Sequence, residues 1–203
     1  DAAEMIRRGD GLATTADLLT VMTRQQLDVQ IRKGVLIRVW RGVYSLAQPD
    51  LLMRLRALDL VIGGHAVACL DTAAALYGFG LEDSHSVHVL DPGYRLRPCS
   101  GLAVHQREGA PLQLVSSRSA TSPAWTAVEV ARQVRRPRAL ATLDAALHSG
   151  WCSRADLAEA IDRQWGRRGI VGVRNLLPLV DGRAESAMES EARLVMLDHG
   201  LPH

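Results

Sequence analysis

The sequence predicts an α+β protein, because helix signals and strand signals follow one another along the chain. Hydrophobic residues make up 47% and charged residues 23% of the 203 positions, which is the range of globular domains with a packed core. At roughly 100–200 residues per domain, this length suits one large domain or two small ones. Motifs and charge suggest three segments, residues 1–56, 57–180 and 181–203.

The first segment carries two helix starts in quick succession. Thr14 stands before a short apolar run and is expected to cap a helix. Thr23 and Gln26 match a capping box, and the helix that they open carries Leu27 and Ile31 on one face. Two helices joined by a very short turn, the second of them short and basic, are typical of a helix-turn-helix.

Two β-prone runs follow this second helix. Residues 36–40 and 43–46 flank Arg41 and Gly42, and such runs around a glycine-containing turn predict a hairpin. A hairpin directly behind the second helix is the wing of a winged helix-turn-helix, so residues 1–56 are predicted to form one and to bind duplex DNA. The alternative is a winged helix that serves as a protein-contact module.

The charge distribution favours DNA. Residues 1–56 hold nine basic and six acidic side chains, whereas residues 181–203 hold two and five. Between residues 24 and 41 there are five cations and one anion, the pattern of a phosphate-binding surface. Arg24 and Gln25 are predicted to contact bases, since arginine pairs with guanine and glutamine with adenine. The predicted DNA-binding set is Thr23, Arg24, Gln25, Asp28, Arg32, Lys33, Arg38 and Arg41, with the last four nearer phosphates.

The middle segment is predicted to combine several helices with a small antiparallel sheet. A helix is expected over residues 50–81, and strands are expected at 86–90, 102–107 and 112–116. Further helices are expected to start near residues 122, 137, 153 and 169. In the last segment, Ser186 and Glu189 match another capping box, which opens a helix that ends near residue 198.

No motif for catalysis, metal or cofactor emerges, so no catalytic residue, metal site or cofactor is predicted. His85 and His88 are three apart in a strand-like run, which places them on opposite faces. The three cysteines, Cys69, Cys99 and Cys152, are isolated, which argues against a disulfide framework and a structural zinc site. Asp71, Asp91 and Asp144 are carboxylates that only the fold can bring together.

No apolar run approaches the roughly 20 residues that cross a bilayer, and no signal-peptide pattern is present. The expectation is a cytoplasmic protein without a membrane partner.

The first segment resembles the N-terminal domain of AbiEi-type antitoxins. The resemblance is carried by residues 11–15, the basic helix and residues 38–44. Antitoxins of this type are winged-helix regulators of bacterial type IV toxin–antitoxin systems. Residues 73–78, 87–92 and 144–147 are similar to the domain that follows in many relatives. The resemblance implies an autoregulatory antitoxin.

The tail, residues 186–193 and 200–202, resembles the opening helix of a Vsr-like, restriction-endonuclease-type domain. In that fold a helix glutamate such as Glu189 approaches the active site. The tail is therefore expected to be the first helix of a truncated endonuclease-like domain. The metal-binding aspartate and the Glu-x-Lys element that would follow are absent. The one lysine, Lys33, has Ile31 and not a glutamate two positions before it, so it is not part of such an element.

Three hypotheses stay open. The first is a sequence-specific transcriptional regulator that binds double-stranded DNA upstream of its own gene, with the middle domain for dimerisation or partner binding. The second is a DNA-targeted nuclease whose catalytic elements lie beyond this chain. The third is an antitoxin that opposes a nucleotidyltransferase-type toxin and binds DNA for autoregulation. A homodimer is compatible with each.

Overall fold

The computed structural model describes residues 1–81, 85–93 and 96–201. The fold is mixed α+β, as predicted, and the chain divides into two compact units, residues 1–66 and 67–203. We refer to them as the N-terminal unit and the C-terminal unit.

The N-terminal unit combines four helices with a three-stranded antiparallel sheet in the order β1-β3-β2. Its core consists of side chains from the first three helices and the sheet, including Ile6, Leu18, Leu27 and Tyr44. The elements are α1 (Ala2–Arg8), β1 (Ala13–Thr14), α2 (Thr15–Leu19), α3 (Arg24–Arg32), β2 (Ile37–Trp40), β3 (Val43–Ser45) and α4 (Leu51–Ile62).

Local sequence signals predicted most of this unit. The hydroxyls of Thr14 and Thr23 cap α2 and α3 in reciprocal capping boxes, and β2 and β3 form the expected hairpin. Gly34 follows α3 with a left-handed φ of 70°. Two short elements were missed: α1 contributes one buried side chain, Ile6, and the two-residue β1 depends on pairing with β3.

The single helix expected over residues 50–81 is wrong. Helix α4 ends at Gly63, whose φ is 67°, and the next helix begins only at Leu70. Between them, Ala68 is extended and bridges Val89 on one side and Ala120 on the other. An alanine-rich apolar run suits either a buried helix or a buried extended segment, so composition cannot distinguish them.

The C-terminal unit contains two strand pairs and a set of helices. The helices are α5 (Leu70–Leu76), α6 (Pro123–Ala131), α7 (Arg136–His148), α8 (Arg154–Arg163), α9 (Ile170–Leu176), which a 3₁₀ turn (Leu177–Leu179) extends, and α10 (Ala187–Asp198). The strands are β4 (Val87–Leu90), β5 (Leu102–His105), β6 (Leu112–Val115) and β7 (Arg118–Thr121).

The expected antiparallel sheet is correct for only one of these pairs. Strands β6 and β7 are an antiparallel hairpin, but β4 and β5 run parallel. Parallel pairing needs a connection that returns the chain to the same end of the sheet, so it cannot be made by a tight turn like the one between β6 and β7. Strand β7 was not predicted, since its sequence, Arg-Ser-Ala-Thr, contains one β-branched residue and no aromatic residue.

Helix α6 is the centre of the C-terminal unit, and all nine of its residues are buried. It packs against α5, α7 and α8. Its one ionisable side chain, Glu129, is fully buried, and Oε1 accepts hydrogen bonds from Arg107 Nε at 2.5 Å and Arg132 Nη2 at 3.1 Å. Arg167 Nη1 lies 3.7 Å from the same oxygen. We call these four residues the Glu129 cluster.

Helix α10 packs on α7 and is held by a buried ion pair. Asp144 accepts hydrogen bonds from Arg193 Nη2 at 2.6 Å and from the backbone N–H of Asp181 at 2.7 Å. Ser186 caps the helix as predicted. The capping box is incomplete, because the Glu189 carboxylate accepts from the N–H of Glu185 and not from that of Ser186.

The Gly169→Ala substitution should destabilise the C-terminal unit. Gly169 has a φ of 86°, and a Cβ there would lie 2.3 Å from the carbonyl oxygen of Arg132. We expect a loss of about 2 kcal/mol or more in the free energy of unfolding, measured by urea titration of the full chain. The control is Gly172→Ala within α9, where a Cβ meets nothing within 4 Å and stability should be unchanged or raised. Equal effects of the two substitutions would contradict the close contact.

Asp144→Ala should cost about 3 kcal/mol, because it leaves the Arg193 guanidinium, which is 15% exposed, without its carboxylate. The matched control is Asp198→Ala, which breaks the exposed ion pair with Arg136 and should change stability little. Urea unfolding followed by tryptophan fluorescence measures both. Similar losses in the two variants would show that burial is not what makes the Asp144 pair important.

Candidate nucleic-acid interface

Helix α3 turns a polar face to solvent. Its start is held by Thr23 and Gln26, since Thr23 N–H donates to Gln26 Oε1 at 2.8 Å and Gln26 N–H donates to Thr23 Oγ1 at 3.3 Å. Leu27 is buried, which turns its helix neighbours outward. All eight residues predicted to contact DNA are exposed: Thr23, Arg24, Gln25, Asp28, Arg32, Lys33, Arg38 and Arg41.

The cations among these residues have no acidic partner in the part of the chain that the structure describes. Ion pairs within the N-terminal unit include those of Glu4 with Arg7 and Arg8, and that of Asp59 with His65. No carboxylate of the described residues lies within 4.0 Å of the five cations between positions 24 and 41. Their charge is therefore available to an external anion, while their individual contacts with DNA stay predictions.

The hairpin is tied to the start of α2. The carbonyl oxygen of Gly42 accepts from Thr15 N at 2.8 Å and from Thr15 Oγ1 at 3.3 Å. On the hairpin itself, the Arg38 guanidinium lies 5.9 Å from the centroid of the Tyr44 ring. Hairpin and helices therefore hold a defined arrangement within the N-terminal unit.

A second anchor of the hairpin was not predicted. Trp40 Nε1 donates to the carbonyl oxygen of Arg54 at 2.7 Å, and the Arg54 guanidinium lies 5.2 Å from the Trp40 ring. Burial lowers the pKa of Arg54. The contact joins β2 to α4, and no local sequence signal identifies the partner of an indole 14 residues away.

In the C-terminal unit, the parallel strands bring together two histidines. His88 Nδ1 and His105 Nε2 are 3.0 Å apart, and the rings stack with centroids 5.1 Å apart. Asp71 Oδ2 lies 3.9 Å from His88 Nε2. Sequence spacing did not reveal this pair, because it depends on the register that places Leu90 opposite His105. His85 is exposed and lies before the start of β4, so His85 and His88 do not share one strand as expected.

The three aspartates considered from sequence have different partners. Asp71 faces His88, Asp91 accepts from Gln106 Nε2 at 3.4 Å, and Asp144 holds Arg193. Among residues 1–81, 85–93 and 96–201, no three His, Cys, Asp or Glu side chains are arranged to hold a metal ion.

The cysteines are unsuited to nucleophilic chemistry where they are buried. Burial raises the pKa of Cys69 well above its ordinary value and raises that of Cys152 to about 12. Both thiols are therefore protonated at neutral pH, and the thiolate is the reactive form. Cys99 is an exposed, free cysteine.

Within the described part of the chain, no helix has both the length and the apolar character needed to cross a membrane.

Comparison with known proteins defines the class. Residues 66–179 match the AbiEi antitoxin C-terminal domain, and this region is more than half of the chain. The chain therefore belongs to the AbiEi antitoxin C-terminal domain family. Two proteins of Mycobacterium tuberculosis are each 70% identical over 181 residues: Uncharacterized protein MT2308 of strain CDC 1551 / Oshkosh and Uncharacterized protein Rv2248 of strain ATCC 25618 / H37Rv. The alignment covers 89% of this chain and 67% of each relative.

The histidine pair should make stability fall in mild acid. Burial lowers the pKa of His88, against the opposing effect of Asp71. The pKa of His105 is lowered by burial first, then by His88 and Arg107, while Glu129 opposes. Because the folded values lie below the unfolded value near 6.5, the unfolded chain binds protons more readily, and the free energy of unfolding should decrease as pH falls below about 6.5.

Urea titrations of the full chain at pH 7.5, 6.5 and 5.5 measure this dependence, above the range where most carboxylates titrate. The double variant His88→Gln/His105→Gln should show a smaller decrease than the wild type. The control is His65→Gln, whose side chain is 89% exposed in the wild type and whose loss should leave the slope unchanged. A double variant with the wild-type slope would contradict the assignment.

Proposed function

We propose that this chain is a DNA-binding antitoxin of the AbiEi family that represses its own gene. In this proposal the N-terminal unit is a winged helix-turn-helix that binds an operator, and the C-terminal unit is the antitoxin domain. The observation that carries the proposal is the exposed face of α3, whose cations have no acidic partner among the described residues, beside a hairpin that carries two more.

The geometry of α3 suits the major groove of duplex DNA. Nine residues form a helix roughly 13 Å long, and the groove is about 12 Å wide. Arg24 and Gln25 occupy the first turn, where base contacts of such helices concentrate. Arg38 lies in β2 and Arg41 in the hairpin turn, the part of a wing that would reach phosphates. Phosphate contacts set the register, and base contacts set the sequence preference.

Family membership supports the antitoxin role. The C-terminal unit contains nearly all of the matched residues 66–179. A nucleotidyltransferase-type toxin is the partner activity that such an antitoxin would oppose, and the cytoplasm is where both would act. A homodimer would place two α3 helices on the half-sites of a palindromic operator.

The nuclease alternative gains no support from the tail. Two of the carboxylates on α10 are engaged in ion pairs, Glu191 with Arg138 and Asp198 with Arg136. The likeness of residues 181–203 to the first helix of a Vsr-like domain stays a prediction.

The test is fluorescence anisotropy of the full chain with duplex DNA from upstream of its own gene and with a scrambled duplex, across a salt series. Arg24→Ala should weaken binding to the upstream duplex about 10-fold and reduce the preference over the scrambled one, because a base contact is lost. Arg32→Ala should weaken binding to both duplexes alike and reduce the salt slope by about 1, because a phosphate contact is lost.

Arg7→Ala is the matched control, since Arg7 is an exposed arginine of the same unit that pairs with Glu4. It should bind both duplexes as the wild type does. If Arg24→Ala and Arg32→Ala also bind like the wild type, α3 is not the DNA-contacting helix and the proposal fails.

A further inference from the structure

The turn between α8 and α9 presents a tryptophan to solvent. Trp165 is 71% exposed, more than Trp151 at 44%, Trp40 at 7% and Trp125 at 2%. Tryptophan is usually largely buried, since its ring has the largest apolar surface of any side chain. We call residues 164–169 the Trp165 turn.

The backbone of this turn is fixed on the buried helix α6 and the residue that follows it. Gln164 is fully buried, and its Nε2 donates to the carbonyl oxygen of Trp125 at 3.1 Å. Arg132 Nη1 donates to the carbonyl oxygen of Arg168 at 3.3 Å. Gly169 closes the turn against Arg132 at a distance that only glycine permits. Trp165 is thus held outward by a well-anchored turn.

One arginine packs on the exposed ring, and two more belong to its turn. The Arg174 guanidinium lies 4.3 Å from its centroid, and Arg167 and Arg168 belong to the same turn. Residues 159–174 hold four arginines and two acids, Glu159 and Asp162. The acids neutralise this charge weakly, since their ion pairs with Arg163 and Arg174 are 3.8 and 3.9 Å long.

The Glu129 cluster adds to the positive charge behind the turn. Three guanidinium groups, those of Arg107, Arg132 and Arg167, share one carboxylate, which leaves two positive charges in excess. Their side chains remain 20%, 11% and 28% exposed. An anion at the surface of the turn would therefore meet an uncompensated positive field.

From this combination we infer that the Trp165 turn is a binding site for single-stranded nucleic acid. A base stacks on Trp165, and the adjoining phosphates contact Arg167 and Arg168. A duplex cannot use such a site, because its bases are already stacked on each other, whereas a single strand offers open base faces. The site is separate from α3, which belongs to the other unit and has the form that reads a duplex.

The experiment uses the full chain with Arg24→Ala and Arg32→Ala as the background, so that α3 contributes little. The probes are a fluorescein-labelled 12-nucleotide RNA, DNA of the same sequence, and the corresponding DNA duplex. In anisotropy titrations we expect the background protein to bind the single strands more tightly than the duplex. Adding Trp165→Ala should weaken single-strand binding about 10-fold, and Trp165→Phe, which keeps an aromatic face, should weaken it less than about 3-fold.

Two further variants separate stacking and phosphate contact from general charge. Arg168→Ala should reduce the salt slope for single strands by about 0.7. Arg183→Ala removes an arginine that is 91% exposed and pairs with Asp181 outside the turn, and it should have no effect. Intrinsic fluorescence gives a second readout: single strands should quench it in the background protein, and Trp165→Phe should abolish most of the quenching.

Preference for RNA over DNA would identify RNA as the ligand, and equal affinity would identify single strands of either kind; both support the inference. It is overturned if no single strand binds at low salt, if Trp165→Ala binds as tightly as the background, or if Arg183→Ala is as weak as Trp165→Ala. A turn that instead captures a protein partner through Trp165 would show the first of these results. Duplex binding by α3 is measured separately, so either proposal can fail alone.

Discussion

Glu129 lies in the middle of a helix whose every residue is buried, and a carboxylate there needs compensating positive charge. Three arginines supply it from different parts of the chain: Arg107 after β5, Arg132 at the end of α6, and Arg167 in the turn before α9. The ion pairs therefore hold β5, α6 and the Trp165 turn in one arrangement. Because three cations meet one anion, the same cluster also leaves positive charge at the surface.

Small side chains make this arrangement possible. The core of the C-terminal unit contains many alanines, among them Ala127 and Ala131 of α6 and Ala139 and Ala146 of α7. Alanine has little volume, so neighbouring helices approach closely and few aromatic rings are needed to fill the interior. The contact of Gly169 with the Arg132 carbonyl belongs to the same close packing. A protein with 4% aromatic residues thus fills its core largely with aliphatic side chains, many of them short.

Signals within a few residues were sufficient where the interaction itself is local. The capping boxes at Thr14 and Thr23 join groups three residues apart, and the β2–β3 hairpin depends on a glycine in its turn. Interactions between distant residues could not be predicted in this way. The break after Gly63 lets Ala68 bridge Val89 and Ala120, which lie 21 and 52 residues further along the chain. The parallel pairing of β4 with β5 joins residues that are 15 positions apart. Neither contact can be seen in a short stretch of sequence.

The same division applies to the candidate sites. Sequence alone determined the basic face of α3, because helix periodicity and one buried leucine, Leu27, decide which side chains point outward. Tertiary structure decided that His88 meets His105 and that Trp165 stands exposed on a turn anchored to α6. A helical period of 3.6 residues can be read from neighbouring positions in the sequence. Strand register and the exposure of a particular tryptophan are set only when segments that are distant in sequence pack together.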